Sequence, residues 1–416
     1  MDKKRIVVTG MGLVSPVGNT VAEAWQNIRN GVSGIDWIKV IVTDHISTKI
    51  GGEVKNFDAD EIFGKRIASR TDRAQHFALV AAREAMQDSG LEVTDENRYD
   101  IACIVGTGIG SIRTVVEMVN GFAAKGERGV RPTLAATLLS DQIASQISIE
   151  FGLRGANYTP ISACATGNNA IGDAADLIRL GRVKVALAGG SEACLADVVL
   201  SGLGNMKTLG HVGDDGDPKT VSRPFDVDRT GFVAGEGASI LVLEDLEHAL
   251  ARGAKIYAEI TGYGHTSDAY HVTAPLEDGA SAAKAMQIAI ADAGLSAEDI
   301  DYINAHGTGT RLNDKSETAA IKAALGEVAY NIPISSTKSM TGHMLGAAGA
   351  AEAIFGIMAV RDNFVPPTIN LDHPDPDCDL DYIPKVGREK EVKHVLSNAF
   401  GFGGHNAVLV VSEFEG

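Results

Sequence analysis

The stretch "AREAMQDSGLEVTDENRYDIACIVGTGIG", Ala82 to Gly110, decides how the chain is read. Its apolar residues first recur at helical spacing and stop at Gly90. After an acidic loop they resume as a continuous apolar strand ending in Gly-Thr-Gly. "AIADAGLSAEDIDYINAHGTGT", Ala289 to Thr310, repeats that order and closes on the same tripeptide. A second matched segment follows each copy. "ISACATGNNAIGDAADLIRLGRVKVALAGG" from Ile161 pairs with "ISSTKSMTGHMLGAAGAAEAIFGIMAVRDN" from Ile334, setting Thr166-Gly167 against Thr341-Gly342. The closing strands match too, "KVALAGGSEA" from Lys184 with "HVLSNAFGFGGHNAVLVV" from His394, and "KIYAEITGYGHTSDA" from Lys255 echoes "RIVVTGMGLVSPVG" from Arg5. Like elements in like order, twice, indicate an internal duplication rather than a short-period solenoid. The expected fold is α/β, in two halves spanning 1–254 and 255–416. Each should hold a mostly parallel sheet covered by helices. Matched helix starts would face each other across a pseudo-twofold axis, so a shared site draws residues from both halves.

The 416 residues and 44% hydrophobic content support a large buried core. A net charge of −17 excludes an overall basic face for nucleic acid, though not a local basic patch. The cysteines, Cys103, Cys164, Cys194 and Cys378, form no CxxC pair and no Cys/His cluster. A disulfide framework and a structural zinc site are therefore not expected. "MDKKRIVVTGMG" runs from a charged start straight into a strand, without the apolar core of a signal peptide, and no apolar run is long enough to span a bilayer. The expected compartment is the cytoplasm, with no membrane partner. "LGHVGDDGDPKTVSRPFDVDRTGFVAGEGA", Leu209 to Ala238, reads as a long turn-rich excursion, either a solvated loop or a segment that shapes a pocket.

Chemistry-bearing residues gather at the strand-to-helix junctions. Cys164 opens a helix after "ISA", where amide N–H groups and the helix dipole favour a thiolate. His306 lies in "NAHGTGT", and Lys338 and His343 lie in "SSTKSMTGHMLGAAGA". "SNAFGFGGHNA" brings a glycine-rich loop with Phe400 and Phe402. Alone, each has a plain structural reading: a small buried hydrophobe, a hydrogen-bonded turn residue, a tight connection. Together they supply what attack on a thioester requires, namely a thiol and preorganised N–H donors for the oxyanion. The Phe402 and Cys164 amides suit that oxyanion, and two neutral imidazoles suit a second carbonyl oxygen becoming an enolate.

With these segments in place, the chain closely resembles the β-ketoacyl-[acyl-carrier-protein] synthases, the elongating condensing enzymes, from "RIVVTGMGLVSPVGN" to "SNAFGFGGHNAVLV". "ISACATGNNAIGDA" resembles the family's nucleophile segment; "NAHGTGT" and "STKSMTGHMLGAAGA" resemble its histidine segments. The resemblance implies the thiolase-like αβαβα fold, five layers from two duplicated halves. A Cys–His–His set separates the elongating enzymes from Cys–His–Asn relatives, and the absence of a cysteine beside Gly403 separates them from degradative thiolases. "HTSDAYHVTAP" and the GFGGHN ending look more like the type II synthase than the type I enzyme.

The implied reaction moves an acyl group from carrier protein to Cys164, then joins it to the enolate left when malonyl-carrier protein loses carbon dioxide. By resemblance, Cys164, His306, His343 and Lys338 are catalytic, and Phe402 is both oxyanion donor and gate. Thr273, Pro275, Thr308, Thr310 and Phe400 line the substrate path. Asp314 and Glu317 are supporting acids, with Glu317 as the partner of Lys338. No metal or organic cofactor is implied, although some members hold a monovalent cation near the strand-end loops. A homodimer is implied. Acidic carrier proteins need a local basic patch on an acidic chain, and Lys65, Arg66, Arg70 and Arg73 offer one, with Lys125, Arg128 and Arg131 as another. Rival readings are a polyketide ketosynthase, a non-catalytic chain-length partner, which would lack the cysteine, and a cysteine hydrolase, which would not need His343 or Lys338.

Overall fold

The computed structural model describes residues 4–212 and 216–416. Gly213, Asp214 and Asp215 of the excursion, and the first three residues of the charged start, lie outside the described residues. The first half supplies strands β1 (Ile6–Val14), β2 (Ile101–Gly106), β3 (Asn157–Tyr158), β4 (Val185–Glu192) and β5 (Gly237–Asp245). The second supplies β6 (Ala258–Ser267), β7 (Tyr302–Asn304), β8 (Ile334–Ser335), β9 (His394–Gly401) and β10 (His405–Ser412). Their hydrogen-bonded order is β8-β7-β9-β10-β6-β1-β5-β4-β2-β3. Read outward from the β6–β1 junction, both halves run first, fifth, fourth, second, third. The junction itself is slight, Val7 against Glu259 and Val8 against Ala258.

Each half is mixed rather than mostly parallel. Pairings β2–β3 and β2–β4 are parallel, while β4–β5 and β5–β1 are antiparallel. The second half repeats this, with β7–β8 and β7–β9 parallel and β9–β10 and β10–β6 antiparallel. The final strand of each half returns antiparallel and sits between the first strand and the parallel trio. A reading by βα alternation does not register it.

The strands are continuous apolar runs because both faces are covered. Val185 and Leu187 of β4 pack with helices α1 (Arg73–Ser89) and α2 (Gln142–Phe151). Ala186 and Ala188 point the other way, into a core shared with helix α3 (Thr166–Arg179). On the far side, Leu396 of β9 packs with α4 (Ala280–Asp292) and α5 (Arg311–Leu325), while Val395 faces the shared core and α6 (Ala348–Asp362). The layers are therefore helix, sheet, helix, sheet, helix, with α3 and α6 in the middle. Residues Ala348–Val360 of α6 are all buried, as a helix sandwiched between two sheets requires.

The central helices meet with almost no side chain between them. A Cβ on Gly167 would lie 2.5 Å from the Ala350 amide nitrogen, and one on Gly349 would lie 2.6 Å from the Asn168 side-chain oxygen. This contact also corrects the register of the repeat. Gly167 matches Gly349, not Gly342, because the turn before α6 is longer and contains the extra short helix Lys338–Thr341. Among the described residues, 221–238 of the excursion are largely buried, while 216–220 are mostly exposed. Phe225 stacks on Tyr382 with ring centroids 3.7 Å apart, and Arg229 is fully buried.

Candidate active site

The nucleophile turn lies between β3 and α3. Ala163 takes a left-handed φ of 51°, an unfavourable conformation for alanine that turns the chain sharply before Cys164. The Thr166 hydroxyl braces the turn, accepting from the Ser162 N–H at 2.9 Å and donating to the Ala163 carbonyl at 2.7 Å. Asn168 ties the helix to the opposite sheet by donating to the Ser397 and Ala407 carbonyls, both at 3.0 Å. Gly401, at the end of β9, abuts the turn so closely that a Cβ there would lie 3.0 Å from the Cys164 amide nitrogen. The next residue, Phe402, thereby directs its N–H at the thiol.

The expectation of a helix-stabilised thiolate is corrected. Burial pushes the Cys164 thiol up to about 12, and the nearby Glu192 carboxylate adds to this. The Lys338 cation and the Phe402 amide pull the other way without overcoming desolvation. The unliganded site holds a thiol, which loses its proton as it attacks.

His306 follows β7, and its backbone is clamped by Glu317, which accepts from the His306 N–H and the Gly307 N–H, each at 2.7 Å. His343 follows the short helix Lys338–Thr341; its N–H donates to Val233 at 2.7 Å and its carbonyl accepts from Gly235 at 2.8 Å. The rings sit edge to face, centroids 5.3 Å apart at 83°. Phe232 from the excursion packs against His343 and Phe400 against His306. Burial and the neighbouring Lys338 cation hold both imidazoles well below their ordinary value, so both are neutral. Each Nδ1 is buried and has no hydrogen-bond partner among the described residues.

Lys338 is fully buried, and its partner is Glu352 rather than Glu317. Glu317 is spent on the His306 backbone and on Asn398. Asp314 is likewise structural. It pairs with Arg229 at 3.2 Å and accepts from the Phe225 and Gly309 amides. Sequence reasoning missed Glu352, although it is the only acid in the otherwise apolar run "GAAGAAEAIFGIMAV". Burial pushes its carboxyl up to about 7 while Lys338 pulls it down. Glu352 Oε2, Asn304 Oδ1, Ser397 Oγ and Asn398 Oδ1 are buried and unpartnered among the described residues. Such hard oxygen donors fit a monovalent cation.

Cys164, His306 and His343 open on one cavity of about 580 Å³. Thr273, Pro275, Thr308, Thr310, Phe400 and Phe402 line it. Ile109, Leu203 and Met206 form its apolar lining, and Lys207 and Arg311 contribute cations, none of which sequence reasoning singled out. Of the basic residues, Lys65, Arg66 and Arg70 are exposed. Arg73 is not part of that patch, because it is drawn inward by a 2.6 Å ion pair with buried Glu236. Arg131 donates to the Ser69 carbonyl at 2.9 Å, which joins the two basic stretches into one surface with exposed Lys125 and Arg128.

A duplicated five-layer frame with its thiol and imidazoles at the seam defines a protein of thiolase-like fold. The chain belongs to the beta-ketoacyl synthase family: the family's N-terminal domain matches residues 3–249 and its C-terminal domain residues 257–372. It is 45% identical over 415 residues to a 3-oxoacyl-[acyl-carrier-protein] synthase 2 of Synechocystis, covering 100% of this chain and 99% of the relative. It is 45% identical over 414 residues to the protein of that name from Staphylococcus aureus, with the same coverage. Among solved structures, a type II PKS acyl-carrier protein in complex with its ketosynthase bound to the hexaketide matches with TM-score 0.92 at 34% identity, covering 100% of both chains. A beta-ketoacyl synthase from Burkholderia phymatum matches with TM-score 0.90 at 34% identity, covering 99% of this chain and 100% of that one. No helix among the described residues is long and apolar enough to cross a membrane.

Proposed function

We propose that this chain elongates acyl groups by two carbons through decarboxylative condensation with malonyl-carrier protein, as a 3-oxoacyl-[acyl-carrier-protein] synthase of type II. The observation that carries the reading is the convergence of Cys164, His306 and His343 on one cavity, with the Phe402 N–H aimed at the thiol. The Cys164 sulfur attacks the acyl thioester, and the Cys164 and Phe402 amides hold the oxyanion. The carrier thiol leaves with the proton. Malonyl-carrier protein then loses carbon dioxide, and the electron pair collects on the thioester oxygen. His306 and His343, as neutral imidazoles, each donate an N–H to that oxygen. The enolate carbon attacks acyl-Cys164, the Cys164 thiolate departs and takes a proton from solvent, and a 3-oxoacyl thioester remains on the carrier. Burial and, behind it, the Lys338 cation keep the imidazoles neutral, and Lys338 is balanced by Glu352. Asn304, Glu352, Ser397 and Asn398 are the residues that would hold a monovalent cation, whose charge would offset the carboxylate. Thr273, Pro275, Thr308 and Thr310 contact the pantetheine arm. Phe402 gates the thiol, and the left-handed Gly403 and Gly404 beside it, φ 91° and 76°, give the loop its hinge.

Incubating the protein with a medium-chain acyl-carrier protein and malonyl-carrier protein should yield carbon dioxide and a 3-oxoacyl product. Release of the acyl group as free acid, with no new carbon–carbon bond, would move the reading to a hydrolase.

The exposed surface around Lys65, Arg66, Arg70, Lys125 and Arg128 is the docking face for the acidic carrier protein. Reversing Lys65 and Arg66 to Glu should raise KM for carrier-protein substrates by about tenfold at low salt and leave kcat within about twofold. Unchanged KM at low salt would remove this face. The chain forms a homodimer across β3, the edge strand, whose two residues are exposed, as are Ile109, Leu139 and Ile161, whereas β8 at the opposite edge is buried. Sedimentation velocity reads this directly, and a monomer at micromolar concentration would contradict it. The halves divide at 254/255, supported by their equal strand orders. A cytoplasmic location suits four cysteines that are all free.

A further inference from the structure

The duplication leaves two equivalent turns, and only one bears a thiol. Ala163–Ala165 leads into α3 as Leu345–Ala347 leads into α6. The first residue of each has a left-handed φ, 51° at Ala163 and 43° at Leu345, so Gly346 is the counterpart of Cys164. The Cys164 amide borders the open cavity, but the Gly346 amide faces the carboxylate of Glu192, the last residue of β4, which is completely buried. Glu192 Oε2 accepts from the Gly346 N–H at 3.1 Å and the Gly108 N–H at 2.8 Å. Its Oε1 accepts from the Ile109 N–H at 3.2 Å and the Thr107 hydroxyl at 3.3 Å. The nest of amides that holds a reacting oxyanion in one half is filled in the other by a side chain of the protein itself.

Resting on the condensing reading above, we propose that Glu192 is a positioning residue for the acyl half-reaction. It clamps the Gly108–Ile109 segment to the Gly346 turn and so fixes the apolar wall beside Cys164 against which a long acyl chain is seated. Gly108, Ile109 and Leu345 line the cavity together with Cys164. The clamp is close: a Cβ on Gly108 would lie 2.6 Å from the Glu192 carboxylate. The imidazoles are held by other groups, Glu317 behind His306 and Val233 behind His343, so the malonyl side does not depend on Glu192. Only a carboxylate serves all four donors. Glutamine would turn an NH₂ group against two of them, and the wall would shift.

Charge and position act in opposite directions here. The Glu192 charge disfavours the thiolate, so Glu192→Gln should leave alkylation of Cys164 by iodoacetamide undiminished or faster. Acylation of Cys164 by a twelve-carbon acyl-carrier protein, followed by intact mass, should slow by about tenfold relative to acylation by a two-carbon donor. Malonyl decarboxylation should stay within about twofold of wild type. Thr107→Val, which removes one donor and leaves the carboxylate, should show the same pattern more weakly and decides the matter if Glu192→Gln does not fold. Equal slowing of both donors, or slowing of neither, overturns the proposal. A wild-type protein that accepts no acyl group overturns the functional reading first, and the proposal falls with it.

Discussion

Cys164→Ala should abolish the acyl adduct seen by intact mass spectrometry and lower condensation at least about a thousandfold, because among the described residues Cys164 is the one cysteine that lines the cavity. The substitution is mild for the fold. Cys164 lies between Ala163 and Ala165 in a turn braced by Thr166, and none of those braces uses the sulfur. Malonyl decarboxylation should continue in the variant, since His306 and His343 keep their own backbone clamps. The two readouts therefore separate, with acyl transfer lost and carbon dioxide release kept. The nearest competing thiol, Cys194, donates to the Gly235 carbonyl and is completely buried away from the cavity lining. An adduct persisting on Cys164→Ala would place the nucleophile elsewhere and undo the assignment.

Lys338→Met should cost about 3–5 kcal/mol of stability by leaving the Glu352 carboxylate buried without its partner. Lys338→Met combined with Glu352→Met should recover most of that loss. Both variants should raise the titration of His306 and His343, because the cation that adds to the effect of burial in opposing their protonation is gone, while burial still holds both below the ordinary value. The sign for stability follows. With folded-state values held low, the unfolded chain binds protons that the folded chain refuses once pH drops below about 6.5. The contribution of the neutral imidazoles is therefore present above that pH and lost as pH falls toward the folded-state values. That acid-side loss should be shallower in the double variant. Histidine-selective NMR and chemical denaturation measure the two effects separately. Imidazole titrations that do not move would show that Lys338 acts only as a structural counterion.

Much of this was legible in the sequence because the duplication repeats both pattern and punctuation. Gly-Thr-Gly closes a strand in each half, and the close-packed Gly12 and Gly264 sit at matching places in β1 and β6, each against a helix carbonyl. Cys164, His306 and His343 were legible because they stand beside such punctuation. Three readings failed for one physical reason, that partners distant in sequence are invisible to local pattern. Arg73 stands in a run of cations, yet Glu236 turns it inward. Lys338 takes Glu352 from the middle of a buried helix, where charge is not expected. Cys164 sits at a helix start that favours a thiolate, but burial among residues distant in sequence, Ile38, Leu200, Phe232 and Leu345 among them, outweighs it. The repeat register slipped because the turn before α6 grew to hold Lys338 and His343, and sequence similarity followed Thr-Gly instead of the helix contact.

That contact, Gly167 on Ala350 and Gly349 on Asn168, also fixes a dimension. The thiol sits in the turn that opens α3, and the imidazoles on the segment that feeds α6 and the segment that leaves β7, so the gap they share is gauged main chain to main chain. Side chains that line a cavity yield to one another; peptide groups in contact do not. Anyone adapting this protein to longer or shorter acyl chains can re-cut the walls at Ile109, Leu203 or Met206 while the working clearance stays at its setting. A single added methyl at Gly167 or Gly349 would reset it.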